Sequence, residues 1–473
     1  MRILGPDGLP IGGSGASDNV TPEVRQMVEQ AQAAAAQGDL QNALQAMVMA
    51  FQQDVTSDLV LDTTIDLLGR MAQERGDQEG IELQLFQQMR EDRENPEIYY
   101  HTGSRFLQAQ QYFIARPFFA HAKELIGEEQ NQLAQATDVE YAQVLGEMGR
   151  YQEAIDLLQN LNDTYGGLPL ELLLKMTEWF ALLRQTDEAE ALLDVVPEES
   201  IAANPGLEEW RDELGDLIAR VHDFDDRETL ELPQWHYVQT RSIILETNPD
   251  ENMPGQRFVF FTPSEEDISY MVALTAAMLD QKGYAPNRIL WLGDSSEVLA
   301  RTFAQWWEVD EADLREYQSG DNNDDDENLA LLVLAHSYDV SALPSEEALF
   351  ELFPARAGLI TFALDLHWTE RQPITPDISG YMSQICHLPW EAKVDMTDDQ
   401  VTVTPITEKP DARAIAVALA AQFPEEAESD RFAQETLEVF AACTDLLLDH
   451  RDGSLNRKSM VTHSPLPGPR FGF

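Results

Sequence analysis

Length, composition and charge limit what this chain can be. It has 473 residues, with 31 Lys and Arg against 85 Asp and Glu, and a net charge of −54. Such an acidic chain repels polyanions, which argues against a stable complex with nucleic acid or an anionic membrane. An ordinary solvated surface explains the acidity, and a salty habitat or a basic partner are the alternatives. Since 473 residues exceed one hydrophobic core, two or more domains are expected.

The sequence predicts a cytoplasmic protein. The apolar runs fall short of the ~18 residues that a membrane span requires, and the first residues lack the apolar core of a signal peptide. Only two cysteines occur, Cys386 and Cys443, which favours a reducing compartment. Residues 1–20 and 451–473 are punctuated by Gly or Pro and are predicted to be a disordered arm and a disordered tail.

The stretch from Asn95 to Ala122 predicts two short helices packed against each other. The residues that share a helix face are Tyr99, Gly103 and Phe106 in the first helix and Ala115, Phe119 and Ala122 in the second. Gly103 and Ala115 allow the two helix axes to approach closely, while the aromatic rings fill the seam between them.

Similar helix pairs recur along residues 21–198. A small or aliphatic residue of the second helix marks each unit, at Ala43, Ile81, Ala115, Ala154 and Ala189, with spacings of 38, 34, 39 and 35 residues. Gly38, Gly69, Gly76 and Gly149 are expected in the turns between paired helices, because a positive φ is easiest for Gly.

This pattern of aromatic and small residues resembles the tetratricopeptide repeat, whose period is about 34 residues. The resemblance implies an α-solenoid over 21–198 that binds a peptide or protein. His101 and Arg105, on a first-helix face, are candidates for its groove. An irregular helical bundle is the alternative.

The remainder of the chain alternates short apolar runs with helices, which predicts a three-layer α/β domain with a parallel sheet. The first run is Phe258–Phe261 and the last is near Ile385–Leu388, and the first two helices are predicted over Glu265–Gln281 and Ser296–Tyr317. The solenoid and its capping helix are expected to extend over 21–222, and the α/β domain is expected to extend over 257–450. The linker between them, 223–256, contains a β-prone run from Trp235 to Leu245. A β-hairpin around Asp398 and Asp399 is predicted at the edge of the sheet, followed by two packing helices.

Polar residues follow the predicted strands, where ligands bind in open α/β sheets. Asp294, His336, Asp365 and His367 are candidate acid–base groups or metal ligands. Gly293, Ser295 and Ser296 could offer hydrogen bonds to a phosphate at a helix start. Ordinary helix caps explain the same residues.

No catalytic template is complete, so the main expectation is a protein-binding scaffold. The nucleotide-binding glycine motifs, the nucleophile elbow and the paired-Cys motif are missing, and the acidic run 319–328 lacks the glycine and closing glutamate of a calcium loop. Neither a cofactor nor a metal is therefore predicted. The alternative is a transferase or hydrolase, similar in domain order to repeat-fused glycosyltransferases and in domain size to phosphoribosyltransferases, with its site at the strand ends.

Overall fold

A computed structural model describes most of the chain. The described residues are 20–75, 80–196, 204–249, 254–321, 329–343, 345–356, 358–368, 373–397, 400–441 and 452–456. The predicted arm, the predicted tail apart from 452–456, and most of the acidic run lie outside them. Contacts divide the chain into two compact units, one up to Leu214 and one from Gly215 onward. None of the described helices is long and apolar enough to span a bilayer.

The first unit consists of consecutive helix pairs. In the described residues up to 196, ten helices form five pairs: α1 Pro22–Ala36 with α2 Leu40–Gln53, α3 Asp58–Arg75 with α4 Ile81–Glu91, α5 Pro96–Gln108 with α6 Tyr112–Ile126, α7 Gln132–Glu147 with α8 Tyr151–Tyr165, and α9 Leu170–Leu182 with α10 Thr186–Asp194. Each helix also contacts the next one along the chain. The following helix, α11 Pro205–His222, contains the division between the units.

One backbone feature repeats in four of the five pairs. The turn between the paired helices contains a residue with positive φ, and a fully buried Ala follows it five residues later. These pairs of residues are Gly38 and Ala43, Gln110 and Ala115, Gly149 and Ala154, and Arg184 and Ala189. Four of the five predicted marker positions are therefore confirmed as buried small residues.

The marker predicted at Ile81 is wrong, because its side chain is 56% exposed. The buried face of α4 contains Phe86 and Met89, which lie five and eight residues after Ile81. In α6 the corresponding buried residues, Phe119 and Ala122, lie four and seven residues after the marker Ala115, so the buried face of α4 is displaced by one residue. Phe86 packs with Phe51 of α2 and Phe118 of α6, at ring-centroid distances of 5.3 and 5.9 Å. Because burial of the large Phe86 ring stabilises the fold more than burial of Ile81 would, α4 is oriented with Phe86 inside and Ile81 on the surface.

The predicted turn position of Gly69 is also wrong, since it lies within α3, and Gly76 lies outside the described residues. Two other glycines allow close helix contacts. A methyl group at Gly103 would meet the Phe119 ring at 3.0 Å, which agrees with the predicted seam, and one at Gly146 of α7 would overlap the indole of Trp179 in α9.

The second unit is an α/β fold. Its longer helices are α12 Leu232–Thr240, α13 Glu265–Gln281, α14 Asp294–Trp307, α15 Glu346–Phe350, α16 Ala412–Ala420 and α17 Glu426–Val439. Its parallel strands are β1 Ile243–Ile244, β2 Phe258–Phe261, β3 Arg288–Trp291, β4 Leu314–Glu316, β5 Ala330–His336, β7 Leu359–His367 and β8 Ile378–Cys386. Two short antiparallel strands, β6 Pro354–Arg356 and β11 Asp452–Asn456, join the same sheet.

The class predicted from the sequence, α plus α/β, is confirmed, and some local predictions need correction. The β-prone run from Trp235 is helical up to Thr240. The helix predicted to reach Tyr317 ends at Trp307, because Glu308 adopts a left-handed conformation (φ 51°), and β4 follows. The last strand ends at Cys386 rather than Leu388. The hairpin, β9 Ala392–Thr397 with β10 Gln400–Pro405, is a separate two-stranded sheet.

Replacing Gly146 with Ala should destabilise the protein, because the added methyl group overlaps the Trp179 ring. Overpacking of this kind typically costs about 1–3 kcal/mol. Gly69→Ala is the matched control: Gly69 is also within a helix, but a methyl group there has nothing within 4 Å. It should be neutral or stabilise the helix by up to about 1 kcal/mol. Urea unfolding of both variants measures this; equal midpoints would show that α7 and α9 do not approach as described.

Candidate functional site

The most concentrated chemistry in the described residues lies at the carboxyl ends of the central strands. These strands are ordered β4, β3, β5, β7, β8. After β3 the chain runs to β4 on one side and then returns to β5 on the other side of β3. In doubly wound sheets, ligands bind outside the strand ends at this reversal.

His336 ends β5 and lies opposite Asp365 of β7 in the sheet register. Their exposed fractions are 2% and 0%. His336 Nδ1 is 3.5 Å from Asp365 Oδ2, and His336 Nε2 is 3.1 and 3.0 Å from the two carboxylate oxygens of Glu391. The imidazole ring is therefore buried between two carboxylates.

The two carboxylates dominate the protonation of His336. Burial alone lowers the pKa of this histidine, but the hydrogen bonds and charges of Asp365 and Glu391 outweigh burial and raise the pKa to about 10. Burial likewise raises the pKa of Glu391, but hydrogen bonds from His336, from the Ser295 hydroxyl and from the Leu388 amide lower it overall. Without another cation, an imidazolium flanked by two carboxylates is favoured.

Cys386 ends β8 beside this group. It is buried and forms no disulfide within the described part of the chain. One donor atom each from His336, Asp365 and Cys386 lie within 4.8 Å of one another. Burial, together with the charges of Asp365 and Glu391, raises the pKa of the Cys386 thiol well above its usual value. Asp365 Oδ1 is buried and has no hydrogen-bond partner among the described residues.

The loop after β5 is held by Asp339 and Ser296. Asp339 Oδ2 accepts hydrogen bonds from the amides of Ala335 and His336, at 3.1 and 3.0 Å, and from the Ser296 hydroxyl at 2.9 Å. Burial is the largest influence on Asp339 and raises the pKa of its carboxyl. These contacts fix the direction of the chain at His336.

Tyr338 covers the cluster. Its ring stacks on the His336 ring, with centroids 4.8 Å apart and an interplanar angle of 5°, and its side chain is 43% exposed. On its other side it meets the ring of His367 edge-on, with centroids 6.2 Å apart. The His367 amide donates a 3.0 Å hydrogen bond to the Ser337 hydroxyl.

The structure brings together some of the predicted site residues and separates others. His336 and Asp365 are in contact, and His367 is next to them across Tyr338. Asp294 is exposed and forms an ion pair of 2.8 Å with Lys409. Lys409 in turn lines an open cleft of about 260 Å³, together with Glu297, Arg301, Glu311 and Arg413.

Two of the three predicted phosphate-binding residues, Ser295 and Ser296, contact carboxylates. Gly293 is the residue before α14, with φ 80°. Ser295 and Ser296, in the first turn of that helix, donate hydrogen bonds to Glu391 and Asp339. Because an anion would compete with these carboxylates, this helix start is poorly suited to a phosphate.

Two members of the cluster were missed in the sequence. Cys386 was missed because the last strand was predicted to end near Leu388, which places Cys386 inside the strand and not at its end. Glu391 lies five residues beyond the strand, in a turn that brings its carboxylate back to His336, and a polar residue in a turn gives no distinctive sequence signal.

The two groove candidates of the helical unit are on the surface. The Nε of Arg105 donates a 2.8 Å hydrogen bond to Glu82 Oε1, so its charge is already paired. Burial raises the pKa of Glu82, but the contact with Arg105 outweighs burial and lowers it overall. His101 is exposed, next to the ring of Tyr100.

Neither a protein-family model nor a curated protein matches the chain. The site must therefore be interpreted from its own geometry.

The pKa of a second buried histidine, His236 of α12, is shifted in the opposite direction to that of His336. Burial, with a smaller contribution from the charge of Arg257, lowers its pKa to about 3, and its Nε2 has no hydrogen-bond partner among the described residues. Below pH 6.5, the ordinary pKa of histidine, the unfolded chain thus binds a proton that the folded chain excludes.

The contribution of His236 to stability should therefore be complete above pH 6.5 and fall as the pH drops towards 3. The loss relative to a His236→Phe variant should reach at most about 1.4 kcal/mol per pH unit. Urea unfolding of both proteins between pH 7 and 4 measures the difference. His101→Phe, at an exposed histidine, is the control and should retain the pH dependence of the wild type. Parallel pH profiles for wild type and His236→Phe would contradict the neutral buried imidazole.

Proposed function

We propose that the protein is a cytoplasmic binding scaffold whose helical unit, 21–198, is a tetratricopeptide-like solenoid that holds a basic peptide or protein. The observation that carries this proposal is the repeated geometry of the helix pairs, in which a residue with positive φ precedes a buried Ala by five positions. Stacked helix pairs provide an extended surface that suits peptide binding.

Charge supports a basic partner. Several cations of the helical unit are already paired with its own carboxylates, namely Arg70 with Asp66, Arg90 with Asp62, Arg105 with Glu82, Lys123 with Asp138, and Arg150 with Glu153. Since acidic residues outnumber basic ones 85 to 31 in the chain, many carboxylates remain to attract a basic surface.

Charge reversal on the α5 face should weaken binding. Glu97 is exposed in the first turn of α5, one turn before His101. We expect Glu97→Lys to reduce the affinity about twofold to fivefold for a partner captured from the native cytoplasm and then purified, and we expect salt to weaken binding. The matched control is Glu426→Lys, which reverses an exposed first-turn glutamate in α17 of the α/β unit.

Both variants lose the same favourable interaction with a helix N-terminus, so a difference between them reports on the binding face. The proposal fails if Glu426→Lys weakens binding while Glu97→Lys does not, or if the affinity is independent of salt.

The second candidate function is an enzyme of the transferase or hydrolase class, and the observation that favours it is the approach of His336 to Asp365. Its difficulty is access, because both side chains are buried beneath Tyr338. Turnover of a nucleotide-sugar or phosphoribosyl donor by the full chain, abolished by His336→Gln and retained by His101→Gln, would establish this function. Turnover that survives His336→Gln would place the chemistry elsewhere.

A further inference from the structure

The cluster at the strand ends contains more acid than its one imidazole can balance. The carboxylates of Asp365 and Glu391 both approach the single imidazole of His336, and the Cys386 thiol lies beside them. Asp365 Oδ1 has no hydrogen-bond partner among the described residues, although its side chain is fully buried. A buried carboxylate oxygen in this state is costly unless something positive lies next to it.

The separation between His336 and Asp365 is compatible with two ligands of one metal ion. At 3.5 Å, Nδ1 and Oδ2 are too far apart for a strong hydrogen bond between charged groups, which spans about 2.7–2.9 Å. Two ligands of one tetrahedral ion, each bound at about 2.0–2.1 Å, lie about 3.3–3.5 Å apart. The observed spacing therefore suits two ligands better than a donor and an acceptor.

The scaffold holds the three donors rigidly. His336, Asp365 and Cys386 come from β5, β7 and β8, which are adjacent in the sheet. His336 and Asp365 are register partners on neighbouring strands. Cys386 is five residues beyond Tyr381, the register partner of Asp365, and pairs with Phe261 of β2. Its sulfur nevertheless lies within 4.8 Å of a donor atom of each of the other two residues. Donors on paired strands keep their geometry better than donors on loops.

Glu391 completes the arrangement from the other side of the imidazole. Its carboxylate faces His336 Nε2 at 3.0 Å and is fixed by the Leu388 amide at 3.1 Å. A carboxylate that accepts the proton of one ring nitrogen leaves the lone pair of the other nitrogen available to a metal, and histidines that bind metals usually have such a partner.

We propose that His336 Nδ1, Asp365 and the Cys386 thiolate form a binding site for a divalent transition metal, for which zinc is the best-suited ion. The combination of sulfur, nitrogen and oxygen donors favours zinc or cobalt over magnesium and calcium, which prefer oxygen ligands alone. The ion compensates the charges of Asp365 and the thiolate, and Glu391 acts as a positioning residue on His336. Three protein ligands leave a fourth position for water.

The test uses the full-length, untagged chain, freed of metal with a chelator and then titrated with Co²⁺. A thiolate ligand gives cobalt a sulfur-to-metal charge-transfer band in the near ultraviolet, which carboxylates and histidines do not produce. We expect the band to saturate at about one Co²⁺ per chain, Zn²⁺ to displace the cobalt, and Mg²⁺ to leave the band unchanged. Zn²⁺ should also raise the thermal midpoint of the α/β unit.

The two cysteines provide a matched pair of variants. Cys386→Ser should lose the band and the thermal shift, whereas Cys443→Ser, at a position outside the described residues, should keep both. Glu391→Gln should retain the band but weaken Zn²⁺ binding about 10–100-fold. Circular dichroism of each metal-free variant separates loss of a ligand from loss of folding. The proposal is overturned if the wild-type chain gives no saturable band, or if Cys443→Ser abolishes the band and Cys386→Ser does not.

Discussion

The α/β unit is organised around a buried charge, the imidazole of His336 between the carboxylates of Asp365 and Glu391. Ionisable groups lose the solvation of water when they are buried, so each of them needs a compensating contact from the protein. The surrounding loops provide these contacts. Ser295 and the Leu388 amide hold Glu391, while Asp339 and Ser296 fix the backbone at His336. Polar residues at the start of a helix commonly cap it, but at the start of α14 Ser295 and Ser296 donate hydrogen bonds to carboxylates of the cluster and its neighbouring loop.

The helical unit is organised by close contacts between helices rather than by charge. Buried alanines recur at the start of the second helices, and Gly146 allows the Trp179 indole to lie directly against the backbone of α7. Ion pairs in this unit are mostly exposed, and exposed pairs contribute little to stability. Packing at small residues therefore determines how neighbouring pairs fit together.

The fold was predictable where local signals agree. Phe258–Phe261 and Glu265–Gln281 were predicted with the observed bounds, because an apolar run and the capping box of Ser264 and Asp267 mark them clearly. The helix predicted up to Tyr317 failed because the left-handed Glu308 interrupts a pattern that still looks helical. Ile81 failed because the position of Phe86 depends on rings from two other helices, which no local pattern reveals.

The candidate site was half predictable for the same reason. A parallel sheet brings the ends of its strands to one edge, and two of the four candidates named there, His336 and Asp365, are in contact. Asp294, in contrast, lies three residues beyond the end of β3 and forms an ion pair with Lys409, a contact that depends on the chain around residue 409. Glu391 returns to the cluster through a turn, and its role follows from tertiary contacts alone.

The metal site proposed at the strand ends consists of three ligands, His336, Asp365 and Cys386. X-ray absorption at the zinc edge, measured on the full chain loaded with one equivalent of Zn²⁺, tests it most directly. The account predicts one sulfur ligand at about 2.3 Å, with the remaining nitrogen and oxygen ligands at about 2.0–2.1 Å. A shell of nitrogen and oxygen without sulfur would contradict it, because the zinc would then be bound without Cys386.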